Sequence, residues 1–324
     1  VSDAAHKAGS TSASAGTVPA LAWILLVALT FAWGAMWPLL KITVAEIPLF
    51  SYRAGSAVVA GILLFAVTWL SGFSARPVRG EFRKIAVVGT FGVALWFILS
   101  GLSVSLLPAG RAALLAYTMP FWALVVAILF LGEHVTVKRC VGVSAGLGAI
   151  LLLSWESLVA GSKDVPLLGI AVVLCAAVVW SVGSTLQKEF AFKTPVSAHL
   201  AWQLMIGAIP LTCVALLVDS TDWIATVSAD AMLAGLIVTV FSLAFGLWCW
   251  SMILKLTDMA FASIAVLTVP AASLCLSAVL LGEPLGAVEL GGLALLLVGL
   301  ATILPFRWKR GPKERPGTGF DIPR

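Results

Sequence analysis

The sequence predicts an all-α polytopic membrane protein with ten transmembrane helices, arranged as two inverted five-helix repeats. Two observations carry this reading. Hydrophobic residues make up 61% of the 324 and charged residues 11%, with a mean hydropathy of +1.08, against roughly 45 to 50% apolar and about 25% charged in soluble domains. In addition, Pro120, Leu131, Gly132, Glu133 and Gly142 recur as Pro270, Leu281, Gly282, Glu283 and Gly292, each displaced by 150 residues. A repeat set in almost uniformly apolar sequence is a membrane repeat, the usual architecture of transporters.

Residues 1–19 are rich in Ala, Ser, Gly and Thr and are expected to form a disordered cytoplasmic tail. The apolar run from Ala20 continues through Trp33 and Trp37 with no convincing cleavage site, so it reads as a retained first helix. Spanning hydrocarbon takes about 20 apolar residues as a helix, because every backbone amide must be bonded internally. The first set of such stretches runs from Ala20 to Leu40, Phe50 to Ser71, Phe82 to Val104, Leu107 to Leu131 and Val137 to Trp155. The second runs from Val165 to Gln187, Val196 to Val218, Ala229 to Leu254, Asp258 to Leu281 and Gly286 to Phe306. The domains are therefore residues 20–155 and 165–306, with a basic cytoplasmic tail at 307–324.

Orientation follows from the Lys and Arg of short loops. With the N-terminus cytoplasmic, inside loops carry Arg76, Arg79, Arg83, Lys84, Lys138, Arg139, Lys188, Lys193 and Lys255, against Lys41, Arg111 and Lys163 outside. Both termini are then cytoplasmic. Five spans is an odd number, so the second copy enters from the opposite side and the halves are inverted. At the same displacement Tyr52 and Arg53 match Trp202 and Gln203, and Thr118 matches Thr268, while the first helix aligns at 147, pairing Trp33 with Trp180 and Lys41 with Lys188.

Several function classes drop out. The five cysteines lie in apolar stretches without metal-ligand spacing, and the three histidines are far apart, so no metal site or other cofactor is expected. A net charge of +5 concentrated in loops and the C-terminal tail suits topology and lipid headgroups, not nucleic acid. The G-x-S-x-G pattern at Gly142, Ser144 and Gly146 falls inside a membrane helix without His or acid partners, so no enzyme is read from it. Gly142 with Gly146, and Gly282 with Gly286, read instead as small-residue packing faces. The implied partners are the lipid bilayer and a small-molecule substrate; oligomeric state is left open, a monomer sufficing.

Two five-helix units, each with a Pro-containing fourth helix ending in Leu-Gly-Glu (131 to 133 and 281 to 283), resemble the EamA family of the drug/metabolite transporter (DMT) superfamily. The resemblance covers residues 20–306 and implies a bacterial inner-membrane metabolite carrier, often an exporter of amino acids, with a central cavity between the halves. Trp96, Tyr117 before Pro120, Trp180 and Trp250, with a Trp in the first helix, look like the YddG-type exporters of aromatic and other neutral amino acids. Gly183 stands just beyond Trp180, where those exporters can carry Tyr.

Trp23, Trp69, Trp155, Trp223 and Trp308 lie near predicted helix ends and read as an interfacial belt. Trp33, Trp37, Trp96, Trp180 and Trp250 sit deeper, where aromatic walls suit solutes with an apolar side chain and an amine head. Tyr117 and Gln203 join them as candidate substrate contacts, and Thr118 and Thr268 as hydroxyl donors. Arg53 and Arg111 either snorkel or cap neighbouring helices, or attract a substrate carboxylate. Pro120 and Pro270 either shape their helices or act as paired hinges of opposite gates. No carboxylate falls near the middle of a span, so the expected mechanism is alternating access by facilitated export, not proton coupling. Other readings are an exporter of another metabolite, drug or nucleotide-sugar and, from a different class, a lipid flippase or non-transporting receptor.

Overall fold

A computed structural model describes residues 18–131, 134, 136–160, 165–257 and 259–303, and among these the regular structure is helical throughout. In chain order the long helices are α1 (Ala20–Glu46), α2 (Leu49–Leu70) and α3, made of Phe82–Val87, Val88–Leu95 and Trp96–Leu106 end to end. Next come α4, in two pieces (Ala109–Ala116 and Met119–Leu131), α5 (Val137–Leu153) and α6 (Leu167–Phe190). The last are α7 (Val196–Val218), α8 (Ala229–Ile237, Val238–Phe245 and Gly246–Leu256), α9 (Met259–Leu281) and α10 (Ala287–Ile303). Gly132 and Glu133 of the first repeat copy lie outside the described residues, as do Trp308 and both tails.

Local chemistry explains most boundaries. α1, α2, α4, α6 and α7 start directly after Pro19, Pro48, Pro108, Pro166 and Pro195, each held extended with ψ between 136° and 141°. A proline there fixes φ and gives up an N–H that the first turn would leave unbonded. Thr136 and Ser228 cap α5 and α8 through their hydroxyls, which accept from Arg139 N and Ala231 N. Gly282 follows α9 with φ +66°, and a side chain built there would meet nothing within 4 Å. It is therefore a left-handed helix stop, correcting its reading as a packing glycine. Gly286 is likewise no packing residue: its N–H donates to Glu289 Oε2 at 3.2 Å at the start of α10.

Among the described residues, eight helical stretches of at least 18 residues are apolar and long enough to cross a membrane. α5 is shorter, at 17 residues, which is about 25 Å of rise, and α10 is described over Ala287–Ile303. The fifth predicted span stops short of Trp155 because the chain turns at Ser154 into a separate short helix, Trp155–Ala160. Large apolar side chains cover the outside, among them Trp69, Phe130, Leu216 and Leu217, all more than 75% exposed. Such a surface belongs in hydrocarbon, and the chain is a multi-pass membrane protein.

The packing repeats with the sequence. α1 lies on α8 and α9, and its counterpart α6 lies on α3 and α4; α2 pairs with α7, and α5 with α10. Glu46 at the end of α1 accepts from the N–H and hydroxyl of Ser228, while Glu81 accepts from Lys193 N and from the N–H and hydroxyl of Thr194 after α6. Glu46 and Lys193, like Glu81 and Ser228, are 147 residues apart, so the same tie is made twice with the roles exchanged. Burial alone would raise the Glu81 carboxyl. The bonds from Thr194 and Lys193, with the nearby His199 ring, outweigh it and hold the group below its ordinary value.

The centres of α3 and α8 are wound in wide π-type turns, over Val88–Leu95 and Val238–Phe245. These segments match at the 150-residue displacement and had no signal in the sequence. In α3 the widened turn meets its neighbours through glycine: a Cβ on Gly89 would stand 2.7 Å from the Gln203 carbonyl oxygen, and one on Gly183 would stand 3.1 Å from Gly92 Cα. Gly142 and Gly146 fill the predicted packing role, lying against Gly299 of α10 and under the Phe121 ring. Because the atoms that a side chain on Gly89 would meet are all backbone of Gln203, Gly89→Leu is expected to lose about 3 kcal/mol of stability. The control Gly55→Ala, with nothing within 4 Å of the new Cβ, should stay within about 0.5 kcal/mol. Unfolding in mixed micelles measures both, and equal stability of the two would contradict the packing account.

Candidate functional site

Trp33 and Trp37 are one turn apart on α1 and so share a face. The Trp33 ring lies 5.9 Å from that of Trp250 on α8, and its indole N–H donates to the Ser242 carbonyl at 3.1 Å. Trp37 meets Trp96 of α3 edge-on at 6.3 Å, and Trp96 meets Trp180 of α6 at 5.1 Å. Five of the predicted aromatic residues thus form one line, from α8 of the second repeat through α1 and α3 of the first to α6 of the second. Trp37 and Trp96 are buried, whereas Trp180 remains 37% exposed. The Trp37 Nε1 proton is buried with no acceptor among the described residues. Such a donor is costly unless something else receives it.

The other predicted contacts are spread around this line. Tyr117 is buried at the break between the two pieces of α4. Thr118 donates to the Leu115 carbonyl at 2.6 Å and accepts from Trp122 Nε1 at 3.2 Å, so its hydroxyl is used within the break itself. Thr268 and Thr30 share a hydrogen bond of 2.8 Å that ties α9 to α1. Gln203 sits at the α3–α7 crossing, 2% exposed, with Nε2 unpartnered among the described residues. Two residues that sequence reasoning missed, Ser273 and Ser277, are fully buried on one face of α9 with unpartnered hydroxyls. Serines in an apolar helix carry no signal of direction; four-residue spacing was the clue available.

The two prolines occupy different local structures. Pro120 is the second residue after the turn at Tyr117–Thr118, whereas Pro270 lies inside the unbroken α9. Equivalent helices of the two repeats therefore differ, one broken and one continuous.

Charge is gathered at the end of the bundle where α1 stops. Lys41 Nζ donates to the Leu107 carbonyl at 2.9 Å and pairs with Glu283 at 3.3 Å. Glu283 also accepts from the first amides of α4, Ala109 N at 2.6 Å and Gly110 N at 2.8 Å. One carboxylate thereby joins α1, α4 and the end of α9. Nearby, Arg111 bonds Glu289 through Nε and Nη2 and Glu156 through Nη1 at 2.7 Å. The Arg111 side chain is 6% exposed and that of Glu289 11%. Snorkelling, one of the readings open for both arginines, is corrected: Arg53 is 1% and Arg111 5% exposed.

Inverted helical repeats, an apolar exterior and a polar-tipped aromatic line between the halves define a membrane transporter, whose partners are a small-molecule substrate and the bilayer. The chain belongs to the EamA-like transporter family, whose family model matches residues 20–155 and 167–304, and so to the DMT superfamily. It is similar to an "uncharacterized transporter" of Archaeoglobus fulgidus, 26% identical over 284 residues that cover 87% of this chain and 98% of that one. A "probable amino-acid metabolite efflux pump" of Salmonella typhimurium is 26% identical over 63% of this chain and 70% of its own. A "probable terminal-alkyne amino-acid exporter" of Streptantibioticus cattleyicolor is 23% identical over 87% and 92%. A crystal structure with 21% identity superimposes with a TM-score of 0.63, covering 87% of this chain and 95% of the other, and shares the fold.

Proposed function

We propose that the protein is a bacterial inner-membrane exporter of neutral and aromatic amino acids, working by alternating access without proton coupling. The observation that carries the reading is the line Trp250–Trp33–Trp37–Trp96–Trp180, because it runs between the two units that would rock against each other. Its rings offer stacking to an apolar side chain and a negative face to an ammonium group. Two relatives named for amino-acid export or efflux support the substrate class. Both termini are placed in the cytoplasm by loop charge, and the halves 20–155 and 165–306 act as the moving units. The Lys41–Glu283 end is then periplasmic and closed. The break before Pro120, with Pro270 in its continuous counterpart, supplies the bending points of the two gates.

Counterflow in proteoliposomes tests this, with pH and sodium equal on both sides and an unlabelled amino acid panel inside. Labelled phenylalanine should enter faster against neutral or aromatic amino acids than against buffer. Trp96→Ala should slow this exchange by roughly threefold to tenfold, the worth of one aromatic contact, while the lipid-facing Trp69→Ala leaves it unchanged. No exchange by folded protein would remove the amino-acid reading in favour of another metabolite, a lipid or a receptor role. Exchange that appears only with an imposed proton gradient would remove the facilitated mechanism.

A further inference from the structure

Arg53 is the one buried position at the closed end whose charge the described residues leave unanswered. It lies four residues past the start of α2, about 6 Å along the axis, and is 1% exposed. Among the described residues its guanidinium makes one hydrogen bond, from Nη2 to Ser100 Oγ at 2.8 Å, and lies 4.8 Å from the centre of the Phe97 ring. Nε is buried with no acceptor, and Arg53 enters no ion pair among the described residues. Carboxylates elsewhere in the described residues are engaged with other groups: Asp219 by the N–H and hydroxyl of Ser51, Glu46 by Ser228, Glu283 by Lys41 and α4, and Glu289 by Arg111.

A guanidinium carries five donors in a planar fork, and an unpaired buried cation costs several kcal/mol. Arg111, at the same end, shows the ordinary solution, two carboxylates on one arginine. Arg53 has instead a hydroxyl and an aromatic face, which orient the fork without neutralising it. Its place in the other repeat is held by Gln203, also buried and also with an unpartnered N–H donor. The aromatic line passes one residue away: Trp96 precedes Phe97, and Ser100 lies one turn further along the same helix.

We propose that Arg53, positioned by Ser100 and Phe97, is the anchor for the carboxylate of the transported solute, which supplies the missing counter-charge when bound. For its substrate this rests on the amino-acid reading above. It makes the solute a carboxylate-bearing molecule whose apolar part extends toward Trp96 and Trp37.

Matched acids and amides test the proposal on purified full-length protein in detergent. The probes are phenylalanine against phenylalaninamide and benzoate against benzamide, with thermal stabilisation as the readout, followed by counterflow of phenylalanine. In the wild type the acid of a pair should stabilise at about tenfold lower concentration than its amide, the worth of one charge-assisted hydrogen bond. Arg53→Gln should bring acid and amide together, and Arg53→Lys should keep part of the difference. Discrimination within the benzoate pair alone would keep the anchor and overturn the amino-acid reading. Equal response to acid and amide in the wild type, or an equal loss of both in folded Arg53→Gln, would overturn the anchor. Should Arg53→Gln not fold, Ser100→Ala must narrow the acid-to-amide ratio at least twofold; an unchanged ratio overturns the proposal.

Discussion

Glu289→Ala is expected to destabilise the protein by about 3 kcal/mol, the lower end of what breaking a buried ion pair costs. Glu289 accepts from two nitrogens of Arg111, and both side chains are nearly sealed from the surroundings, at 11% and 6% exposed. Removing the carboxylate leaves Arg111 with Glu156 alone, whose side chain is 44% exposed. It also frees the Gly286 amide at the start of α10. Glu156→Ala, by contrast, removes a half-exposed partner and should cost about 1 kcal/mol or less. Reversible unfolding in mixed micelles separates the two. The double change Arg111→Met with Glu289→Leu removes both charges and should recover part of the loss, because no buried ion is left unpaired. A Glu289→Ala variant within 1 kcal/mol of wild type would show that the pair does not hold α4 to α10.

The ion pairs illustrate what the sequence made legible and what it did not. Proline and Leu-Gly-Glu recur at a displacement of 150, and Trp33 matches Trp180 at 147; each acts locally, by fixing φ, stopping a helix or filling a deep apolar position. The all-helical, two-repeat membrane fold was therefore readable. The partner of Arg111 was not, since it stands 178 residues away and nothing local distinguishes Glu289 from other helix-end carboxylates. The unequal fourth and ninth helices were hidden for a related reason. Thr118 and Thr268 both turn the hydroxyl back onto the carbonyl three residues earlier, Leu115 at 2.6 Å and Ala265 at 3.3 Å, and Thr268 shares a further hydrogen bond with Thr30 of another helix. Identical residues at equivalent positions make the same backward bond, yet one helix breaks while the other continues, so nothing local separates the two. In the π-type turn of α3, Gly89 and Gly92 meet backbone of α7 and α6 at close range, which is a property of the assembled bundle.

Glu283→Gln is expected to open the closed end of the bundle. The carboxylate accepts from Lys41 Nζ and from Ala109 N and Gly110 N, the last two at the positive end of a helix. An amide in its place has a single acceptor oxygen and no charge, so at least one charge-assisted bond is lost, worth about 1.5 to 3 kcal/mol. If the bonds exist only while α1, α4 and α9 are together, that loss moves the equilibrium toward the open form by about tenfold or more. Ser277 reports on it. Its Cβ would lie 3.4 Å from a Cβ on Gly110, it is fully buried, and it lies just inside Glu283 on α9. In a background with the five native cysteines replaced, Ser277→Cys should react with a water-soluble thiol reagent at least tenfold faster when Glu283→Gln is added. Lys41→Ala should act in the same direction but less, because Glu283 keeps both α4 amides. A rate unchanged by Glu283→Gln, in folded protein, would mean that the carboxylate only caps α4 and that another contact closes this end.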